Sequence, residues 1–197
     1  MTDKLFDERN ADEETLRRLH RQLERAADDD GVLDIAYRTL DTPVGPLLLA
    51  ATTVGLVRVA FAIEDHDEVL VRLAQAVSPR ILDAPARLDT VARQLDEYFA
   101  KRRTAFEVPV DLRLAAGFRR NVIEHLRDIG YGRRESYATV AAAVGNPRAV
   151  RAVGSACAHN PLPVVIPCHR VVRSDGSPGQ YVGGPRAKST LLRLEAA

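Results

Sequence analysis

At 197 residues and 21.6 kDa, with 46% hydrophobic and 28% charged residues, the chain is long enough for one large or two small globular domains. No apolar run nears the roughly 20 residues that span a bilayer, and the first turns are too charged for a secretory signal. Two cysteines, Cys157 and Cys168, make neither a disulfide framework nor the paired Cys/His spacing of a zinc site, so membrane, disulfide-rich and zinc-bound classes are set aside and the reducing cytoplasm is the expected setting; a monomer is the expected state.

The net charge of +1 hides a division. Residues 106–197 hold 13 Lys+Arg against 7 Asp+Glu, a balance of +6, whereas residues 1–105 hold 15 against 20, a balance of −5. A basic half suits a polyanion, nucleic acid or acidic protein alike.

Residues 12–27 predict a surface helix docked on the body, with Leu16, Leu19 and Leu23 at spacings of three and four, ended by Asp28-Asp29-Asp30-Gly31. Residues 1–31 are read as a helical extension. Short strands are predicted at 35–39, 46–51 and 56–61, separated by the turns Asp41-Thr42-Pro43-Val44-Gly45 and Val54-Gly55, which together suggest an antiparallel meander. Helical patterns follow at 66–77 and 86–101. His66, set among acidic residues, reads as a solvated surface histidine. Residues 32–105 therefore form an α/β domain with no catalytic constellation of their own. The segment 106–110, broken by Pro109, reads as an edge strand or linker, and the domain boundary is placed there.

The second domain, residues 106–197, opens with a helix over 118–129, where Phe118, Val122, Ile123, Leu126 and Ile129 share a face. Ser136 is a good N-cap for a helix over 137–144, and Gly145 ends it in a left-handed conformation. Asn146 then reads as the cap of a second helix with Pro147 at its first position. Helix, glycine turn and helix form a helix-turn-helix, the shape of a DNA reader. The second helix is small-faced, with Ala149, Ala152, Gly154, Ser155, Ala156 and Ala158 and only Arg148 and Arg151 to reach a groove. Such a face fits close packing, or recognition of DNA shape rather than base sequence.

Residues 161–172 form an apolar run cut by Pro161, Pro163 and Pro167, with Cys168-His169 where it ends. A lone cysteine is usually structural, but an adjacent imidazole able to take its proton raises the thiolate fraction. On an extended chain the two side chains diverge, so their cooperation requires a bend or a bridging water. Cys157, on a helix face without a base, keeps the structural reading.

Three stretches then align with one family. Asn146-Pro147-Arg148-Ala149-Val150-Arg151-Ala152-Val153-Gly154, Asn160-Pro161 and Ile166-Pro167-Cys168-His169-Arg170-Val171-Val172 resemble the O(6)-alkylguanine-DNA alkyltransferases. Gly179-Gln180-Tyr181-Val182-Gly183-Gly184, Lys188 and Leu191-Leu192 resemble that family's closing loop and helix. The match covers roughly residues 106–197, and the first half resembles the family's companion domain only loosely.

The resemblance implies an α+β protein: a ribonuclease-H-like domain with a short antiparallel sheet, then a mostly helical winged helix-turn-helix domain. It implies a suicide methyltransferase that flips an alkylated guanine out of duplex DNA and moves the alkyl group irreversibly to its own Cys168, with O(4)-alkylthymine a second expected substrate. His169 is then the general base through a water, Glu195 the carboxylate that orients it, and Asn160 the hinge of the active-site loop. Tyr137 crowds the phosphate and protonates the departing base. Arg151 replaces the flipped nucleotide, with Arg148, Ala149, Ala152, Gly154 and Ser155 along the groove. Val171, Tyr181, Val182 and Gly183 shape the pocket. No metal or organic cofactor is required, and several molecules side by side on DNA are compatible with the family.

Val182-Gly183 stands where some family members carry Arg-Trp, which leaves the preferred alkyl size open. Three rival readings remain at this level: a lesion binder without transfer, a winged-helix regulator with its wing at Asp175-Gly176, and a cysteine hydrolase. The first is disfavoured by the presence of Cys168, the second would leave Cys168, His169 and Glu195 idle, and the third lacks an oxyanion site.

Overall fold

The computed structural model describes residues 2–196. Helix α1 (Thr2–Asp29) precedes a sheet built from β1 (Ile35–Leu40), β2 (Leu47–Ala51) and β3 (Leu56–Phe61). These three strands form the expected meander. After α2 (His66–Ala76), the short strand β4 (Ile81–Asp83) joins parallel to β1, giving the order β3-β2-β1-β4. Sequence patterning passes over β4 because a three-residue strand is too short to show alternation.

All five residues of β2 are buried. The alternation of strand side chains explains this: Leu47, Leu49 and Ala51 point to one covered face, Leu48 and Ala50 to another. Val69 and Leu73 of α2 cover the second face. The first face packs on α3 (Asp89–Phe99) and on the helices of the C-terminal half, so Leu49, Val59, Leu95, Ile123, Leu162 and Cys168 belong to one continuous core.

The C-terminal half contains α4 (Gly117–Leu126), β5 (Glu135–Ser136), α5 (Tyr137–Ala143), α6 (Val150–Ala158), β6 (Val171–Val172) and α7 (Gly184–Leu194). Ser136 caps α5, its hydroxyl accepting from the Thr139 amide at 3.0 Å. Gly145 takes φ +78°, the left-handed value the turn requires.

Three expectations are corrected. The second helix starts at Val150, not at Pro147. Asn146 and Pro147 lie in a turn closed by the Ala149 amide on the Asn146 carbonyl at 2.9 Å, and the Val153 amide then bonds to Ala149. Arg148 and Ala149 therefore precede the helix. Residues 106–110, expected as an edge strand or linker, are connecting chain with one bridge, Leu56 to Val110. His66 is half-buried rather than solvated. Finally, α1 does not dock through its leucines: Leu16, Leu19 and Leu23 are 65%, 51% and 54% exposed. It is held by His20, in contact with the Asp83 carbonyl at 2.6 Å, by an Asp28–Arg87 ion pair, and by Ala27 beside Leu33, Ala36 and Ala84. No helix among the described residues is long and apolar enough to cross a membrane.

Candidate active site and DNA-facing helix

The chain leaves α6 through Asn160, which is wholly buried. Its amide nitrogen donates to the Ile166 carbonyl at 2.9 Å and its oxygen accepts from the Leu162 amide at 3.0 Å, closing residues 160–166 into a loop. The sheet holds that loop from the other side. The Val59 amide donates to the Pro161 carbonyl at 2.8 Å, and Arg58, paired with Glu64, donates to the carbonyls of Asn160 and Pro161. Val164 within the loop sits at φ +73°, a region that a β-branched side chain adopts only under constraint, at a cost of about 1–3 kcal/mol.

The bend that Cys168 and His169 need is present. Pro167 at φ −83°, ψ 59° forms an inverse γ-turn, closed by the Cys168 amide on the Ile166 carbonyl at 2.8 Å. Cys168–Arg170 then winds as a single 3-10 turn, with the Arg170 amide on the Pro167 carbonyl at 2.9 Å. The run of residues continues into β6, which pairs with β5 so that Ser136 lies opposite Val172. Tyr137, the next residue, is thereby fixed beside the cysteine turn.

Cys168 is 1% exposed and His169 not at all. Burial pushes the Cys168 thiol up to about 11, against partial relief from the Asn160 amide and the Lys188 cation. Burial lowers the His169 imidazole below its ordinary value, against the pull of Glu195. Both groups are therefore neutral at pH 7. His169 Nε2 lies 2.9 Å from Glu195 Oε1. An ionised carboxylate only accepts, so Nε2 carries the hydrogen and Nδ1 the lone pair. Nδ1 is buried and has no protein partner among the described residues.

Glu195 follows α7 and is 5% exposed. Burial alone would raise its carboxyl, but donors surround it and hold it far below the usual carboxylate range. His169 Nε2, Arg170 Nη2 and the Tyr98 hydroxyl converge on Oε1 at 2.9, 2.9 and 2.7 Å. Arg170 Nε and the Gly132 amide reach Oε2 at 2.9 and 3.3 Å. Arg170 also donates to the Ile129 carbonyl. Arg170 and Tyr98 are the residues that sequence reasoning missed. Arg170 stood inside the quoted motif and could have been flagged as a partner for Glu195, whereas nothing local marks Tyr98.

Tyr181 packs edge-on against Phe61, with ring centroids 5.6 Å apart, and against His169 at 6.3 Å. Gly183 is a glycine because a Cβ there would lie 2.6 Å from the Phe61 ring. Val182 is half-buried and Val171 fully buried, its carbonyl accepting from Lys188 Nζ at 2.6 Å. Lys188 also lies over the Tyr137 ring at 5.9 Å. The Tyr137 phenol is raised, chiefly by burial. Cys157 faces inward from α6 and is buried. The outer side of α6 is different: Arg151, Ala152 and Ser155 are exposed, Gly154 is half-buried, and Arg148 is exposed in the preceding turn. Among the described residues no group of three or more His, Cys, Asp or Glu could hold a metal ion. A cavity of about 480 Å³ borders Pro167 and Arg170 but is not lined by Cys168.

The chain that carries this buried Cys168, His169 and Glu195 set is similar to known proteins over both of its halves. Residues 35–112 match the ribonuclease-like domain of 6-O-methylguanine DNA methyltransferase, and residues 117–197 match its DNA-binding domain. The chain belongs to the 6-O-methylguanine DNA methyltransferase family. It is 38% identical over 161 residues to the methylated-DNA--protein-cysteine methyltransferase of Mycolicibacterium paratuberculosis, covering 82% of this chain and 92% of that protein. It is 39% identical over 166 residues to the Escherichia coli bifunctional transcriptional activator/DNA repair enzyme Ada, covering 83% of this chain but only 46% of that longer protein. Among solved structures, Mycobacterium tuberculosis OGT in complex with DNA aligns at a TM-score of 0.71 and 37% identity, covering 82% of this chain and 92% of that one. The α+β architecture expected from sequence is that of the family.

Proposed function

We propose that this protein repairs DNA by direct reversal. It binds duplex DNA through α6, turns a guanine alkylated at O6 out of the stack, and moves the alkyl group irreversibly to Cys168. The observation that carries this reading is the buried pair Cys168-His169, with His169 Nε2 bonded to Glu195 and its Nδ1 left to accept a proton.

A thiol held near 11 is stored neutral and unreactive at pH 7, so the reaction needs a base. The Cys168 proton passes through a water to His169 Nδ1, and Glu195 stabilises the resulting imidazolium. The thiolate attacks the alkyl carbon, forming the S–C bond as the C–O6 bond breaks, and the electron pair stays with the guanine. Tyr137, whose phenol remains protonated at neutral pH, supplies the proton to the departing base. The product thioether has no route back to thiol, so each molecule acts once.

Because Cys168 is 1% exposed, the base reaches it only when the residues above it shift. Asn160 hinges the loop, and Val171, Tyr181, Val182 and Gly183 line the pocket. Turning the nucleotide out costs a few kcal/mol. Insertion of Arg151 into the vacated stack offsets that cost, while Arg148, Ala149, Ala152, Gly154 and Ser155 follow the groove. O(4)-alkylthymine offers the same oxygen–alkyl bond and is the second proposed substrate. The active form is a monomer in the cytoplasm, able to bind DNA side by side with its copies, and it needs no metal or cofactor.

Intact mass measurement after incubation with duplex DNA bearing O6-methylguanine tests the reading. One methyl group per molecule is expected, located at Cys168 and absent from Cys168→Ala. Restored guanine with unchanged protein mass would overturn it.

A further inference from the structure

Tyr98 closes α3 in the N-terminal half, 97 residues from the carboxylate that its hydroxyl touches. It is 0% exposed, and its ring sits among Phe99, Phe106 and Tyr131 at centroid distances of 5.3, 5.3 and 6.1 Å. Phenylalanine would satisfy that packing equally well. The hydroxyl is therefore the part that calls for explanation, since a polar group is costly in an aromatic pocket unless it is bonded.

Its bond goes to the oxygen that serves His169. Oε1 of Glu195 receives Tyr98 at 2.7 Å and His169 Nε2 at 2.9 Å, each the ordinary length for its donor. Each donor to a carboxylate oxygen withdraws negative charge from it, so a donor added at Oε1 weakens the hold of Glu195 on an imidazolium. The other charges near His169 work in the same direction: Arg170 and Lys188 both disfavour a protonated ring, and Glu195 alone favours it. Cys168 adjoins His169 in the turn and the Tyr181 ring faces it at 6.3 Å. Around Glu195, Arg170 and the Tyr131 phenol complete the set, with the Tyr131 hydroxyl engaged by the Leu194 carbonyl at 3.1 Å.

We propose that Tyr98 is a positioning residue for alkyl transfer, which draws charge from Glu195 Oε1 so that His169 stays neutral and its Nδ1 can accept the Cys168 proton under mildly acidic as well as neutral conditions. This deepens the reading of His169 as the base and rests on it. It also gives the N-terminal domain a part in the chemistry: the relay begins on α3, passes through the residue after α7, and ends in the cysteine turn.

The test uses the full chain and its Tyr98→Phe variant. Single-turnover transfer from O6-methylguanine duplex is followed from about pH 5 to 9, since the acidic limb of such a profile reports the base. Tyr98→Phe is expected to move the acidic limb upward by about half to one pH unit, which lowers the rate on that limb roughly three- to tenfold. A purely structural role would lower the melting temperature and leave the limb where it is in the parent protein. An unmoved or downward-shifted limb overturns the proposal. Fluorotyrosine placed at position 98 keeps the ring and its hydroxyl and strengthens the donor, so it must move the limb downward, and it decides the matter if Tyr98→Phe does not fold. No methyl transfer by the parent protein at any pH would defeat the proposed function itself, whereas transfer with superimposable profiles would defeat only the role of Tyr98.

Discussion

Around Glu195 and the cysteine turn the protein is polar and buried at once. Asn160, His169, Arg170, Lys188 and Glu195 are all buried, and each is bonded to a named group. The outer side of α6, a few residues earlier in the chain, is the reverse: Arg151 is exposed and has no partner among the described residues, and its neighbours Ala152 and Ser155 are small. In the proposed reaction both regions take part, yet they store different things. The interior holds His169, Arg170 and Glu195 in fixed geometry, where low dielectric makes each bond count and each loss costly. The helix face keeps its donors unspent, so that the partner supplies what they bond to. Substitutions in the first region should therefore harm folding and chemistry together, and those in the second should harm only the work done on DNA.

The largest effect is expected at Glu195. Glu195→Ala removes the acceptor for Tyr98, Arg170, His169 and the Gly132 amide at one stroke and leaves Arg170 buried without its counter-ion. Breaking a buried pair in this way costs about 3–5 kcal/mol, which in a chain of this size lowers Tm by roughly 10 °C. Methyl transfer should become undetectable at a temperature where the variant remains folded. Thermal melts and single-turnover assays read the two losses separately, and a variant that melts normally while losing transfer would break the link between stability and chemistry drawn here.

Titration offers a milder way to separate the regions. The folded His169 binds its proton more weakly than its unfolded counterpart with pKa 6.5, so the unfolded chain takes up more protons as pH falls below that value, and stability falls with it. The sign reverses at the thiol. Folded Cys168 keeps its proton up to about 11 while the unfolded cysteine loses it near 9.0, so stability falls as pH rises through that window. Tm measured against pH should be flat between these limits and decline on both sides, with a shallower alkaline decline in Cys168→Ala. An equal alkaline decline in that variant would assign it to other groups.

The same contrast governs what could be read from sequence. The small face of α6, the meander and the Cys-His pair are local patterns, written in consecutive residues with helical or alternating spacing. The Ser136 cap is of this kind, and Ser136→Ala should cost about 1 kcal/mol and loosen the start of α5, where Tyr137 stands. A drop of a few degrees in Tm would check it. The start of α6 differs from the expected one because Asn146-Pro147 suits a helix cap and a turn equally well. Which one forms depends on tertiary context rather than on the dipeptide. Tyr98, and the contact that requires a glycine at 183, were illegible for a different reason. Tyr98 is defined by a carboxylate 97 residues away, and Gly183 by the Phe61 ring of another domain. No spacing rule reaches across such separations. The leucines of α1 taught the converse, since their periodicity is real but the helix docks by another side.

The smallest effect on the fold, and the sharpest on recognition, is expected at Arg151. Its side chain makes no bond within the described protein, so Arg151→Ala should leave Tm within about 2 °C of the parent, as surface substitutions generally do. Repair of O6-methylguanine in duplex DNA should nonetheless fall at least tenfold, roughly the 1.4 kcal/mol or more that an inserted side chain contributes toward holding the nucleotide out of the stack. Transfer from the free alkylated base needs no extrusion and should fall much less. The ratio of the two rates is the informative quantity, because damage to the cysteine turn lowers both together whereas loss of the inserted side chain divides them. Equal losses would place Arg151 with the buried network and dissolve the distinction between the two regions.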